Sequence, residues 1–252
     1  MAEIILKAEH LKKVFPSGKK NMTAVEDISF ELSEGENLGI VGESGSGKST
    51  LARLLTRLAP VTEGHIYLRG KDITHVKGKE LLAVYQDLQM VFQMPAESFD
   101  PRRTLGDGIG ESLRNLGISR KETGKKVENL LKKCGLDSEY ANRYPHQVSG
   151  GQCQRAAIAR ALAVNPSILI CDEATSALDV TVQKQILELL KQLKQQEELS
   201  FLFISHDLAL VQAFCDRVLV MHQGQAVEYG TPDQIINHPS QEYTKRLIDS
   251  VL

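Results

Sequence analysis

The sequence predicts an α/β fold: a doubly wound parallel β-sheet with antiparallel strands at its edge and an inserted helical subdomain. Short apolar runs that end in polar residues alternate with helical patterns in 37–58 and 167–207. The stretch 23–36, TAVEDISFELSEGE, alternates apolar and polar residues as antiparallel strands do. Strand signals disappear between about Pro95 and Ala163, where helical patterns continue. Alternating strands and helices are typical of a parallel sheet with chemistry at the carboxyl ends of its strands.

The first apolar run, NLGIVG, ends in Gly42 and predicts a short buried strand. The segment 48–58, KSTLARLLTRL, carries four leucines at helical spacing, the last of them Leu58, and predicts a helix. Farther along, the segments 121–136 (KETGKKVENLLKKCGL) and 151–163 (GQCQRAAIARALA) also have helical patterns. The inserted subdomain is therefore predicted to be mostly helical.

Two more buried strands are predicted in 167–173 (SILICDE) and 200–207 (SFLFISHD), and each closes on polar residues. The segment between them, 181–196, is predicted to be a helix with four apolar side chains on one face: Val182, Ile186, Leu189 and Leu193. Strand, helix and strand then bring the polar strand ends to one edge of the sheet.

Length and composition predict one large domain of 252 residues rather than several. We expect 1–94 and 164–252 to form its core and about 95–163 to form the helical subdomain. The net charge of -2 offers no bulk electrostatic argument for nucleic acid, and no nucleic-acid partner is expected.

The four cysteines are scattered along the chain, which predicts free thiols in a reducing cytosol rather than a zinc site or disulfides. The N-terminus lacks the apolar core of a signal peptide, and no run approaches the roughly 18–20 apolar residues that span a bilayer. A soluble protein is predicted, which reaches a membrane only through a partner.

Residues 42–50, GESGSGKST, fit the phosphate-binding pattern G-x-x-x-x-G-K-[ST] between a predicted strand and a predicted helix. Glycines let a phosphate approach the backbone, and the helix N-terminus adds partial positive charge. Lys48 would neutralise the β- and γ-phosphates, and the Ser49 hydroxyl would bind Mg²⁺. The alternative, a flexible turn, fits poorly between strand and helix. The predicted nucleotide contacts are Gly42, Glu43, Ser44, Gly45, Ser46, Gly47, Lys48, Ser49 and Thr50.

The strand that ends in Asp172 and Glu173 supplies the other groups that phosphate chemistry requires. Asp172 is predicted to bind the metal directly or through water. Glu173, one residue past the strand, is the candidate general base for the attacking water. A solvated acidic turn is the alternative, but four apolar residues directly before the pair argue against it.

The segment 148–152, VSGGQ, adds a motif by which the chain resembles the nucleotide-binding subunit of an ATP-binding-cassette (ABC) transporter. The resemblance implies a P-loop NTPase (RecA-like) core that binds ATP and Mg²⁺. It also covers essentially the full length, because the family's motifs follow one another in the family's order.

The resemblance implies roles for further residues. Gln93, in MVFQ, is similar to the Q-loop glutamine that contacts Mg²⁺ and the attacking water. His206 is similar to the switch histidine that contacts the γ-phosphate, and Phe15 to the aromatic residue that stacks on adenine. The segment 176–179, SALD, resembles the D-loop, in which Asp179 lies near the nucleotide.

A second glycine-rich helix start lies in the signature segment, defined here as Ser149, Gly150, Gly151 and Gln152. It suits a γ-phosphate for the same reasons as residues 42–50, because glycines and a helix N-terminus come together there as well. The resemblance implies that two subunits pack head to tail, so that this segment of one closes on ATP held by the other. ATP would then hold the dimer together, and hydrolysis would release it.

Longer stretches, among them SFDPRRTLGDGIGESL and CDEATSALDVTVQKQILELL, resemble ATPases of oligopeptide, dipeptide and nickel importers. The compact chain is more similar to the nickel or metallophore subunits. This resemblance implies two membrane permease subunits, a paralogous ATPase subunit and, indirectly, an extracytoplasmic substrate-binding protein. A heterodimer at the cytoplasmic face of the cell membrane is expected, with a homodimer as the alternative.

Other classes fit less well. A translation ABC ATPase usually carries two cassettes, and a DNA-repair ATPase carries long coiled coils; the sequence shows neither. A regulatory binding module would be expected to lose Lys48 or Glu173, and both are present. An exporter ATPase or a non-transport ABC ATPase stays as the alternative to an importer.

Cys153 departs from the family pattern, in which a basic residue is common at this position. It lies in the first turn of the signature helix, where the helix N-terminus can lower a thiol pKa and make the thiol reactive. One hypothesis is therefore that Cys153 is modifiable in the open dimer. The alternative is a packed, unreactive thiol.

Overall fold

Strands and helices alternate along residues 3–17, 20–176 and 178–250, which the computed structural model describes. The strands are β1 (Ile4–Ser17), β2 (Lys20–Ser33), β3 (Asn37–Val41), β4 (Glu63–Leu68), β5 (Lys71–Asp72), β6 (Leu88–Val91), β7 (Ile168–Asp172), β8 (Ser200–Ile204), β9 (Arg217–His222) and β10 (Gln225–Gly230). The α-helices are α1 (Lys48–Leu55), α2 (Gly78–Asp87), α3 (Leu105–Ile109), α4 (Glu111–Asn115), α5 (Arg120–Lys133), α6 (Gly150–Leu162), α7 (Val180–Glu197), α8 (Leu208–Phe214), α9 (Pro232–Asn237) and α10 (Glu242–Asp249).

The central sheet has the order β10-β9-β3-β8-β7-β6. All neighbouring pairs from β9 to β6 are parallel, and β10 pairs antiparallel with β9 at one edge. The three predicted apolar strands are β3, β7 and β8, and every residue of each is buried. Parallel strands covered on both faces are expected to be this apolar.

A second sheet, with the order β2-β1-β4-β5, is antiparallel. Its strand β2 contains residues 23–33 of the stretch 23–36, whose alternating pattern predicted such strands, and the strand ends before Glu34. Leu32 and Val25 of β2 are buried, whereas Glu31 and Glu26 are not. The two sheets and the surrounding helices confirm the predicted α/β fold class.

Two hydrophobic cores lie on opposite faces of the central sheet. In β7, Ile168 and Ile170 belong to the core shared with α1 and the antiparallel sheet, whereas Leu169 and Cys171 belong to the core shared with α6 and α7. This alternation follows from the two-residue period of a strand. Both faces of β7 are therefore buried, and the carboxyl end of the strand lies between the two hydrophobic cores.

The segment between β6 and β7 contains helices and no strand. Besides α3 to α6 it has 3₁₀-helices at Pro95–Ser98, Ser138–Asn142 and Pro145–Gln147. Helices α5 and α6 match the two predicted patterns. The division of the chain into a core and a helical subdomain stays a prediction.

Helix α1 ends earlier than the leucine spacing predicts. It stops at Leu55, and Leu58 lies beyond it with 53% of its surface exposed. The Thr56 hydroxyl donates to Ala52 O at 2.8 Å, and Arg57 has a left-handed backbone with φ 59°. A residue in this conformation ends a helix by turning its N–H back onto the last carbonyls. The prediction of a helix up to Leu58 is therefore wrong.

Candidate active site

The loop 42–47 leaves β3 and leads into α1, as its motif requires. Gly42 and Gly47 have φ angles of 151° and 104°. A Cβ atom on Gly47 would lie 2.2 Å from Ala24 O, and one on Gly42 would lie 2.2 Å from Met221 O. Only glycine fits at these two positions, since both the backbone angle and the space exclude a side chain.

Lys48 lies almost fully buried inside this loop, with 4% of its surface exposed. Its Nζ donates to Gly42 O at 2.6 Å, to Glu43 O at 2.8 Å and to Ser46 Oγ at 3.4 Å. Burial lowers the pKa of Lys48, while Glu173, Asp172 and Glu43 act against that effect. The ammonium group is thus held within the loop 42–47, called the phosphate loop below. The oxygen atoms that accept its hydrogen bonds can be replaced by those of a phosphate.

Ser49, in the first turn of α1, and Asp172, at the end of β7, are joined by a hydrogen bond. The Ser49 hydroxyl donates to Asp172 Oδ1 at 3.0 Å. Burial raises the pKa of Asp172, partly offset by the hydrogen bond from Ser49. A hydroxyl and a carboxylate within hydrogen-bonding distance fit the hard oxygen donors that Mg²⁺ prefers. These two residues could therefore hold Mg²⁺.

Glu173, Gln93 and His206 come together from three neighbouring strand ends, after β7, β6 and β8. Gln93 Nε2 donates to Glu173 Oε2 at 2.9 Å, and His206 Nδ1 lies 3.8 Å from the same oxygen. The Glu173 side chain is 18% exposed, whereas that of His206 is 60% exposed. Glu173 Oε2 thus lies beside two polar side chains and is accessible to solvent. A general base requires this, because it must contact the water whose proton it accepts.

A groove of about 760 Å³ opens beside these groups. Ser49, Gln93 and Asp172 line it, together with Leu58 and Arg160. None of the residues 149–151 does. Of the predicted phosphate-binding residues 42–50, Ser49 is the one in the lining of this groove.

The signature segment starts helix α6 with a reciprocal cap. The N–H of Gln152 donates to Ser149 Oγ at 3.3 Å, and the N–H of Ser149 donates to Gln152 Oε1 at 2.9 Å. Gln152 Nε2 also donates to the hydroxyl of Tyr140 at 2.8 Å. Ser149 and Gly150 are exposed. The Ser149 hydroxyl accepts in its cap and keeps its own proton to donate.

Asp179 and Phe15 have other neighbours. Asp179 caps helix α7 by accepting from the N–H of Val182 at 3.0 Å. Phe15 pairs with Met22 in the antiparallel sheet, and the ammonium of Lys13 lies 4.9 Å from its ring centroid. Ala177, in the predicted D-loop, lies outside the described residues.

The remaining predicted nucleotide contacts belong to the loop and to the first turn of α1. Glu43, Ser44 and Gly45 form its exposed outer part. Ser46 is buried, and Thr50, in the first turn of α1, is half-buried. The exposed part is where a ligand can reach backbone N–H groups.

Cys153 is packed rather than reactive. It has 2% of its surface exposed, and burial raises its pKa to about 11. The helix N-terminus does not overcome this burial. Burial and the raised pKa support the alternative of a packed, unreactive thiol.

Sequence reasoning missed two contacts that hold the phosphate loop. The N–H of Glu43 donates to the Tyr243 hydroxyl at 3.2 Å, and the N–H of Gly224 donates to Ser46 O at 2.9 Å. Both partners come from the last thirty residues of the chain, and neither belongs to a motif. No local signal in the sequence could have identified them.

The sequence of this chain is similar to a family profile and to those of known proteins. Residues 25–176 match the sequence profile described as ABC transporter. The oligopeptide transport ATP-binding protein OppF of Escherichia coli (strain K12) is 47% identical over 242 residues, which cover 95% of this chain and 72% of that protein. The dipeptide transport ATP-binding protein DppF of Lactococcus lactis subsp. cremoris is 41% identical over 252 residues, which cover 98% of this chain and 81% of that protein.

The fold has a close counterpart among solved structures. The ATP-binding cassette MJ0796, in a dimeric post-hydrolysis state bound to ADP and Pi, superposes with a TM-score of 0.83 and 30% sequence identity. The match covers 90% of this chain and 99% of that one. The profile match on this chain includes Lys48, Gln93, Ser149 and Glu173.

Proposed function

Because this chain belongs to the ABC transporter family, we propose that it is the ATP-hydrolysing subunit of a peptide importer. Family membership confirms the resemblance of the sequence to ABC ATP-binding subunits, and ATP binding and hydrolysis follow from it. The observation that carries the proposal for this chain is the convergence of Gln93, Glu173 and His206 beside the phosphate loop. The assignment of individual residues below is part of the proposal.

The loop 42–50 binds the triphosphate of ATP through its backbone N–H groups and the start of α1. Lys48 exchanges its contacts with Gly42 O and Glu43 O for phosphate oxygens, which spreads the phosphate charge over a fixed cation. Phe15 stacks on the adenine ring. These contacts position the γ-phosphate in front of Glu173.

Mg²⁺ fits the oxygen atoms of Ser49 and Asp172, with Gln93 as a further ligand. When bound, it supplies charge neutralisation to the β- and γ-phosphates. The Ser49–Asp172 hydrogen bond keeps both oxygens directed to the same place before the ligand arrives. This pre-arrangement reduces the conformational entropy that binding would otherwise cost.

Hydrolysis uses Glu173 as the base. Its carboxylate takes a proton from water while the water oxygen bonds to the γ-phosphorus and the bond to the ADP oxygen breaks, giving ADP and phosphate. Gln93 orients Glu173 through its amide, and His206 contacts the γ-phosphate. Such a base typically contributes about 10²- to 10⁴-fold to the rate.

As an ABC ATP-binding subunit, the protein dimerises and associates with membrane permease subunits. No helix in the described ranges is long and apolar enough to cross a membrane. We propose two permease subunits, a paralogous ATPase subunit and an extracytoplasmic substrate-binding protein as the partners. The chain then lies on the cytoplasmic face of the membrane.

In the proposed dimer, the signature segment of each subunit closes on ATP bound by the phosphate loop of the other. The exposed position of Ser149 supports this, because its hydroxyl can donate to a γ-phosphate while its cap stays formed. Asp179, at the start of α7, lies near the partner's nucleotide.

The cargo is proposed from the relatives, which are named for oligopeptide, dipeptide and glutathione transport. An uptake assay in cells that lack this gene tests it. We expect the deletion to lower uptake of labelled di- and oligopeptides, and wild-type protein to restore it, because peptide entry requires ATP hydrolysis by this subunit. The Glu173→Gln variant should not restore it.

Labelled nickel and a nickel chelate serve as the parallel cargo in the same cells. Unchanged peptide uptake with lost nickel uptake would replace peptides by nickel as the cargo. Unchanged entry of both, with increased retention of an exported compound, would instead indicate an exporter. Wild-type protein expressed at equal level is the reference in each arm.

A further inference from the structure

We propose that Tyr243 is a positioning residue for ATP binding, which fixes the phosphate loop from the C-terminal helix α10. The hydroxyl of Tyr243 accepts a hydrogen bond from the N–H of Glu43 at 3.2 Å. The two residues are 200 positions apart in the sequence. The proposal concerns the binding of ATP and does not depend on the cargo.

Tyr243 is itself rigidly held. It is 8% exposed, and its ring lies 3.8 Å, centroid to centroid, from the ring of His222 at the end of β9. Thr244, Leu247 and Ile248 are buried on the same helix. A fixed ring places the hydroxyl at one point, so the hydrogen bond costs little further side-chain entropy.

The start of α10 is anchored to strand β10 by Glu228. Its carboxylate accepts from the N–H and the hydroxyl of Ser240, both at 2.8 Å, and from the N–H of Gln241 at 3.2 Å. Gln241 is the N-cap of α10. A carboxylate at this end of a helix also interacts favourably with its dipole. The anchor connects β10 to the helix that carries Tyr243.

Glu43 is the residue through which Tyr243 acts on the site. Its N–H is bound by Tyr243, and its carbonyl accepts from Lys48 Nζ at 2.8 Å. The other end of the loop is held by the bond from Gly224 N–H to Ser46 O. Between these two attachments lie Ser44 and Gly45, which are both exposed.

Without the hydroxyl, the exposed start of the loop loses its attachment to α10 and keeps the bond from Lys48 to Glu43 O, which the phosphates of ATP replace. ATP must then order it on binding, which costs conformational entropy. Once ATP is bound, its phosphates hold the loop, and the chemical step proceeds as before. The expected signature is a higher KM for ATP with an unchanged kcat, because the binding free energy that is lost is the same in the ground state and the transition state.

The test substitutes Tyr243→Phe, which removes one oxygen and keeps the ring on His222. The protein is assembled with its partner subunits. We expect the Kd and the KM for ATP to rise about three- to tenfold, as loss of one neutral hydrogen bond predicts. The kcat at saturating ATP should stay within about twofold of wild type.

Tyr229→Phe is the matched control. Tyr229 lies on β10, is 44% exposed, and its ring faces the guanidinium of Arg217 at 5.1 Å. This variant should keep the wild-type KM. An unchanged Kd for ATP in Tyr243→Phe would overturn the proposal, and so would a fall in kcat and Tm with no selective change in KM.

A measurement on the folded protein keeps the test independent of kinetics. Hydrogen exchange of the Glu43 amide, in the protein without nucleotide, should be faster in Tyr243→Phe than in wild type or Tyr229→Phe. Addition of ATP should remove that difference. Equal exchange at Glu43 in all three proteins would contradict the proposed hydrogen bond.

Discussion

At the residue scale, the adjacent carboxylates of Asp172 and Glu173 lie in different surroundings. Asp172 is the last residue of β7 and bonds to Ser49, whereas Glu173 has a left-handed backbone with φ 48°. Such a conformation costs about 1–3 kcal/mol in a non-glycine residue and persists only where the surroundings fix it. The N–H of Glu173 donates to Ile204 O at 3.0 Å, which ties the turn to β8. The turn directs the second carboxylate toward Gln93 and His206.

Glu173→Gln should abolish turnover and leave nucleotide binding intact. The amide keeps the shape of the side chain and cannot accept the water proton, so kcat should fall by at least about 10²-fold. ATP affinity should stay within a few-fold of wild type. Phosphate release and equilibrium binding of labelled ATP measure the two quantities.

Glu188→Gln is the control, since Glu188 lies exposed on α7 and pairs with Lys191 at 3.0 Å. It should hydrolyse ATP at the wild-type rate. A Glu173→Gln protein with normal phosphate release would show that another group activates the water.

At the element scale, the start of α6 packs against α7 through a glycine. A Cβ on Gly151 would lie 2.6 Å from Val182 Cγ1, and one on Gly150 would lie 3.4 Å from Leu178 Cδ2. The two helices therefore approach closely at the signature segment. This contact couples the position of Ser149 to the segment that follows Glu173.

Gly151→Ala should lower the free energy of unfolding by about 1–3 kcal/mol, because the β-branched Val182 has little freedom to move away. Val182→Ala should be destabilising alone, but the double variant should be more stable than the sum of the single effects predicts by at least about 1 kcal/mol. Urea denaturation of the four proteins measures the cycle.

Gly124→Ala on α5 controls for helix propensity, since nothing lies within 4 Å of its Cβ. It should stabilise the protein by up to about 1 kcal/mol. Additive effects of Gly151→Ala and Val182→Ala would exclude the helix contact.

The hydrogen bonds that Glu228 accepts from the start of α10 should make the stability of the folded protein depend on pH. Burial acts to raise the pKa of Glu228, but the hydrogen bonds from Ser240 and Gln241 outweigh it and lower that pKa. A lowered carboxyl pKa contributes stability above the ordinary carboxyl pKa of about 4.3 and loses it as the pH falls through the lowered value.

Glu228→Gln should therefore have a lower Tm than wild type at pH 7, and the difference should shrink as the pH falls below about 4. Thermal unfolding of both proteins over this pH range measures it. A difference in Tm that is independent of pH would contradict the role of the charge.

Elements with a local signal could be predicted from the sequence, and contacts between distant segments could not. The strands β3, β7 and β8 and the groups at their ends follow from apolar runs and short motifs, which nearby residues determine. The end of α1 depends on the left-handed Arg57, and leucine spacing carries no information about it. The bond from Glu43 to Tyr243 depends on how α10 docks, which only the tertiary fold sets.

At the scale of the whole molecule, the strand order explains why one chain holds a nearly complete site. Strands β6, β7, β8 and β3 are neighbours, so Gln93, Glu173, His206 and the phosphate loop meet at one edge. The signature segment belongs to the helices between β6 and β7 instead. The chain thus carries two glycine-rich helix starts, and in the proposed dimer they face two different nucleotides.

The structure of the Glu173→Gln assembly with ATP tests this assignment most directly, through one distance. We expect Ser149 Oγ to lie within about 3 Å, a hydrogen-bonding distance, of a γ-phosphate oxygen of the ATP bound to the facing subunit. A closed, ATP-loaded assembly in which Ser149 contacts the nucleotide of its own chain, or no nucleotide, would contradict it.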